Sequence, residues 1–165
     1  MQQDKNNRIS RGLILGVVVA LATGLSACVS TGGAPSATAS PTVASSGFGG
    51  ILNAERGSRG LSLLSEDSAL KAAAQAHAND MVARGYFSHQ SKGGGNPTSR
   101  MRAAGGCRSA NAENIAQGQS SNAAVFSAWM QSSAHQRNML NGSYSRYGLG
   151  RSGNTWVLML AGSCV

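Results

Sequence analysis

The sequence predicts an α+β domain, with helices first and a small antiparallel sheet after them. Three observations carry this. An alanine-rich run places Leu70, Ala73, Ala74, His77 and Met81 at helical spacing. Asn96-Pro97 pairs a capping residue with a first-turn proline. In the last part of the chain the pattern changes to short β-type runs around a tight turn. Such an order of elements is that of a layered α+β fold.

Taken in order, a first helix is expected around Ile51 to Arg56. The clearest helix begins after Leu64, with Ser65 as its cap, Glu66 and Asp67 in its first turn against the positive end of the dipole, and Gly85 as its stop. Asn96-Pro97 opens a shorter helix that Gly105-Gly106 ends. A third opens near Ser120 or Ser121 and aligns Ala124, Val125, Ala128 and Trp129 on one face. Tyr147 to Arg151 and Thr155 to Ala161 read as two strands joined across Gly153-Asn154, and Ile115 with its neighbours supplies a third.

Ahead of the domain lies the pattern of an exported precursor. Lys5, Arg8 and Arg11 form a positive head, and the apolar run Leu13 to Leu25 falls well short of the ~20 residues a spanning helix needs. Leu25-Ser26-Ala27-Cys28 has the arrangement of a lipobox, so residues 1–27 are expected to be removed and Cys28 to carry lipid such as palmitate. Residues 28–47 are rich in Ser, Thr, Ala and Gly and read as a flexible tether, which leaves residues 48–165 as one domain. The expected location is the cell envelope, anchored to a membrane and facing the periplasm or the exterior.

With Cys28 assigned to the anchor, Cys107 and Cys164 remain as an even pair in a compartment where disulfides persist. Joining them would stabilise the domain by about 4 kcal/mol on the chain-entropy account. The precursor's net charge of +8 becomes +6 once Lys5, Arg8, Arg11 and Asp4 are removed. Aromatic residues are few and are not interleaved with the basic ones, so a nucleic-acid partner is not expected. The expected state is a monomer.

The domain holds three histidines and five acids, so candidate site residues are few. His89 follows Gly85-Tyr86-Phe87-Ser88, Glu113 and Asn114 sit in Ala112-Glu113-Asn114, and His135 lies just after Ser132 and Ser133. All fall at loops or element ends, where functional groups concentrate. His77, on the apolar stripe of the long helix, reads as a satisfied core histidine, and Trp129 and Trp156 read as core.

Asn53-x-x-Arg56, Gly85-Tyr86-Phe87-Ser88-His89, Ala112-Glu113-Asn114-Ile115, Trp129-x-x-Ser132-x-x-His135-x-x-Asn138 and Gly148-Leu149-Gly150 before Trp156 together resemble the bacterial branch of the CAP superfamily, also called the SCP domain. The resemblance implies an α-β-α sandwich with a cleft lined by two histidines and two acids. His89, Glu113 and His135 match three of those four positions, and Ser132 stands where animal and plant members carry the second acid.

Two imidazoles and a carboxylate have the ligand count of a Zn2+ site, or of another divalent cation, with one open position. They can equally form a hydrogen-bonded cluster without metal. Ser132 or Ser133 with His135 and Glu113 would make a nucleophile, base and orienter, but no nucleophile elbow accompanies them. The expected function is therefore a lipid-anchored binding module for a small ligand, a lipid, a cell-wall component or a partner protein. The alternatives are a metal-dependent hydrolase of peptidase or nuclease type in the same cleft and a structural envelope protein.

Overall fold

The computed structural model of the protein describes residues 47–105 and 111–162. The leader, Cys28, the tether before Gly47 and the expected Cys107–Cys164 bridge lie outside these residues. The described chain runs α1 (Phe48–Ser58), β1 (Ser65–Glu66), α2 (Ser68–Ala83), α3 (Pro97–Ala103), β2 (Asn111–Gln117), α4 (Asn122–Gln131), α5 (Ser133–Met139), β3 (Arg146–Ser152) and β4 (Thr155–Ala161). The sheet order is β1-β3-β4-β2, antiparallel except where β1 runs parallel to β3.

Alternation along β4 builds the two cores. Trp156, Leu158 and Leu160 face α1, α4 and α5, while Val157, Met159 and Ala161 face α2 and α3. Every residue of β4 is buried, as a central strand covered on both faces requires. This is the expected α-β-α sandwich, and each large side chain so buried contributes about 1.5–3 kcal/mol.

The start of α2 differs from the expected one. Asp67, not Ser65, is the cap, its Oδ1 accepting from the amides of Ala69 (2.9 Å) and Leu70 (3.0 Å). Ser65 and Glu66 instead form β1, opposite Arg146 and Tyr147 of β3. The choice follows from Asp67's second anchor, since its Oδ2 also accepts from Arg146 Nη1 at 2.7 Å. The Leu70 amide is the first cause holding the Asp67 carboxyl below its ordinary range. Helix α1 also starts earlier than expected, at Phe48, whose ring packs edge-on against Trp129 at 5.7 Å.

The other signals act as read. Asn96 and Ser99 form a reciprocal capping box at the start of α3, and Ser121 caps α4. Gly85 ends the α2 turn at φ +61°, and Gly153 makes the β3–β4 turn at φ +58°.

Asn53 and Arg56, three apart on α1, clamp two distant segments. Asn53 exchanges two hydrogen bonds with the backbone of Leu64, at 2.8 and 2.9 Å. The buried Arg56 donates to the carbonyls of Ser62 (2.9 Å), Met139 (2.6 Å) and Asn141 (3.1 Å). It thus ties α1 to the carbonyl end of α5, where a cation is favoured.

Candidate functional site

Among the described residues β2 is an edge strand, and its consecutive residues Glu113 and Asn114 point to opposite faces of the sheet. Glu113 belongs to the layer of α2 and α3, and Asn114 to that of α5. The groups they hold belong to a site at this edge.

The side chain of Glu113 is 1% exposed and fully engaged. Arg100 of α3 donates Nη2 to both carboxylate oxygens at 2.9 Å and Nε to Oε2 at 3.3 Å. His89 donates Nδ1 to Oε1 at 2.9 Å. Because a carboxylate only accepts, this bond fixes the proton on Nδ1 and leaves Nε2 of a neutral His89 as an acceptor. The His89 side chain is 48% exposed, so that ring reaches solvent.

The same guanidinium holds the loop that carries His89. Arg100 Nη2 donates to the carbonyl of His89 at 2.6 Å, and Nη1 donates to Ser91 Oγ at 3.0 Å and to the Gly95 carbonyl at 3.2 Å. A capped α3 therefore positions both the carboxylate and the rim above it.

His77 closes this cluster from α2, with Nε2 donating to the carbonyl of Ser88 at 3.0 Å and lying 3.9 Å from Glu113 Oε1. Ser91 Oγ lies 3.5 Å from Nδ1, the acceptor nitrogen of that tautomer. Burial, then the charge of Arg100, holds His77 below the ordinary histidine range, so the ring stays neutral. His77 is thus the satisfied core histidine that its place on the helix implied.

On the other face, Asn114 donates Nδ2 to the His135 carbonyl at 3.1 Å and accepts from Asn138 Nδ2 at 2.8 Å. These bonds fix the His135 backbone at the first turns of α5. Burial, then the charge of His89, lowers the His135 pKa. Ser132 sits between α4 and α5 as the last cap of one and the first of the other. Among the described residues neither Ser132 nor Ser133 makes a hydrogen bond to His135, so the nucleophile and base are not coupled here.

A divalent metal on His89, His135 and Glu113 does not fit this donor set. Both oxygens of Glu113 are taken by Arg100 and one also by His89, and among the described residues no three His, Cys, Asp or Glu side chains meet as a metal-holding group. A ligand carboxylate would first have to leave its arginine.

One apolar groove lies beside the site and another at the opposite edge of the sheet. One of about 430 Å³ runs between α2 and α3 and is lined by Ala69, Ala73, Ala76 and Ala103, with Arg100 at its edge. Another of about 600 Å³ runs along α1 and is lined by Gly50, Ala54, Gly57, Leu63 and Tyr147.

The sequence profile of the cysteine-rich secretory protein family, CAP, matches residues 50–159. The chain belongs to the CAP family. It is 38% identical over 114 residues to the uncharacterized protein YkwD of Bacillus subtilis, covering 68% of this chain and 44% of that relative. The chain thus spans less than half the length of that protein. Its fold is similar to an extracellular SCP-domain protein of Bacillus anthracis, with a TM-score of 0.67 and 27% identity over 70% of this chain and 39% of the other. It is also similar to an outer surface protein of Borrelia burgdorferi, with a TM-score of 0.63 and 18% identity over 71% of this chain and 90% of the other.

In this CAP domain the Trp129-x-x-Ser132-x-x-His135 spacing spans the α4–α5 junction. Trp129 is 1% exposed in the core and its Nε1 donates to the Ile115 carbonyl on β2 at 3.2 Å, which locks the helix pair to the strand that carries Glu113. Arg100 is the site residue that sequence reasoning missed. A basic residue one turn into a capped helix reads as solvated, and no spacing relates it to Glu113. The one available signal was the scarcity of acids: a buried glutamate needs a cation.

Proposed function

We propose that this CAP domain is a lipid-anchored, extracytoplasmic binding module without catalytic activity, taking a cell-wall component or lipid headgroup at the edge of β2. The observation that carries the reading is the state of Glu113. Its charge is already balanced by Arg100, so it acts as an orienter of His89 and presents that ring's Nε2 to solvent. His135, held through its backbone by Asn114, supplies a second polar contact. An arrangement of fixed, solvent-facing hydrogen-bonding groups with no coupled nucleophile suits recognition more than turnover. The extracellular and outer-surface descriptions of the similar structures, together with the lipobox at Cys28, support the location.

The test is native mass spectrometry of the full chain extracted in detergent from envelope membranes. A bound species beyond the chain's own lipid is expected, lost in the His89→Ala/His135→Ala double variant. A chain that comes out with no added mass would overturn the reading.

A further inference from the structure

Each of the five acids in the domain is taken by a cation, and the pairs are unevenly placed. Around β1 and α1, Glu55 pairs with Arg59 (2.6 Å), Glu66 with Lys71 (2.8 Å) and Asp67 with Arg146 (2.7 Å). The one further cation there, Arg56, is buried and turned to backbone carbonyls, so this edge of the sheet has its exposed charges matched.

At the other edge the balance fails. Asp80 and Glu113 are matched by Arg84 (3.5 Å) and Arg100 (2.9 Å), which leaves Lys92, Arg102, Arg137 and Arg151 without an acid among the described residues. All four are exposed. Lys92 follows His89 in the loop that Arg100 holds, with Nζ fixed on the Arg84 carbonyl at 2.6 Å. Arg102 lies on α3 and Arg137 on α5, the helices that pack on β2. Arg151 donates to the carbonyl of Ser120, just past the end of β2, and its guanidinium lies 4.3 Å from the centre of the Trp156 ring.

Unmatched charges of one sign draw a partner of the other. Because these four stand on separate elements, a single phosphate cannot meet them together, whereas a chain of phosphates can. The described domain begins at Gly47, which lines a cavity with Glu66, Lys71 and Tyr147 at the balanced edge. An anchor at Cys28 would therefore hold the domain from its neutral edge, which favours a polymer in the envelope over the headgroups of the anchoring membrane.

We propose that the β2 edge docks an extended, phosphate-bearing polymer of the cell envelope, held by Lys92, Arg102, Arg137 and Arg151 while His89 Nε2 accepts from its hydroxyl groups. The inference rests on the binding-module reading and adds the charge and form of the ligand.

The probe is poly(glycerol phosphate), titrated by calorimetry into the full chain in neutral detergent over a range of salt. Wild type should bind it, with log affinity falling linearly in log salt. Arg102→Gln/Arg137→Gln should lose roughly tenfold or more at about 0.1 M salt and reduce that slope by between about 1 and 2. Arg59→Gln/Lys71→Gln removes the same net charge from the balanced edge and should bind like wild type, since a Debye length of about 10 Å screens distant charge. No binding, or equal losses in the two double variants, would refute the proposal. A further arm dopes the micelles with phosphatidylglycerol, which offers the same phosphodiester on a lipid. Polymer that stays bound supports the assignment, and polymer displaced at equal phosphate concentration overturns it in favour of headgroups. A failed titration beside a bound neutral species in the native mass spectrum would sink this inference alone and leave the binding-module reading standing.

Discussion

On one face of the sheet α2 lies so close to β3 that a Cβ on Gly148 would overlap the backbone of Leu70 and Lys71, and one on Gly150 that of Ala74 and Gln75. On the other face α1, α4 and α5 stand off at a distance set by large rings, among them Phe48, Trp129, Tyr144 and Trp156. The first layer is packed by leaving atoms out and the second by filling space. A close-packed interior is sensitive to both kinds of change, so enlarging a residue is the direct probe of the first layer and truncating one the direct probe of the second. The site draws on both, with Glu113 and its partners from the thin layer and the Asn114–His135 connection from the thick one.

The sharpest way to break this comparison is Gly150→Val. The added atoms meet helix backbone, which cannot swing aside, so a loss of about 5 kcal/mol or more is expected, at the extreme end for one substitution. Urea unfolding checks it, and a loss below about 1 kcal/mol would mean that α2 has room to retreat. Trp129→Ala should cost about 3–5 kcal/mol through the cavity it leaves, with the Ile115 carbonyl losing its indole partner as well. A calorimetric melt measures it.

The smallest effect is on pH. His77 in the thin layer and His135 beside the thick one are both lowered, burial being the first cause in each. The folded state therefore binds fewer protons than the unfolded chain, so this stability is complete above the ordinary histidine value of 6.5 and is lost as pH falls below it. Between about pH 7.5 and pH 5 the urea midpoint should fall, and His77→Gln should flatten part of that fall. A midpoint that rises on acidification would contradict the buried, neutral state of His77.

How far the sequence foretold this molecule depended on whether the deciding contact was local. The α3 box and the α4 cap are closed by residues three apart, and the Gly153 turn by its own backbone, so short spacing was enough to find them. Asp67 displaced Ser65 as the α2 cap because of Arg146, 79 residues away in the chain. Strand β1 exists only because β3 lies beside it, and two residues carry no periodicity of their own. In the site, Glu113, His89 and Ser132 were read from motifs, but Arg100 is defined by a pairing across 13 residues that no repeat announces.

The position of β4 has one more consequence. It is a central strand, paired on both sides, yet it is the last element formed from the described chain. The long pairings of β2 and β3 are both with β4, so neither hydrophobic layer has its floor until Thr155 to Ala161 has been synthesised. Domains generally fold as units, so this one should remain without a core through nearly all of its own translation. A chain cut short before Thr155 would therefore lose both layers at once rather than one of them.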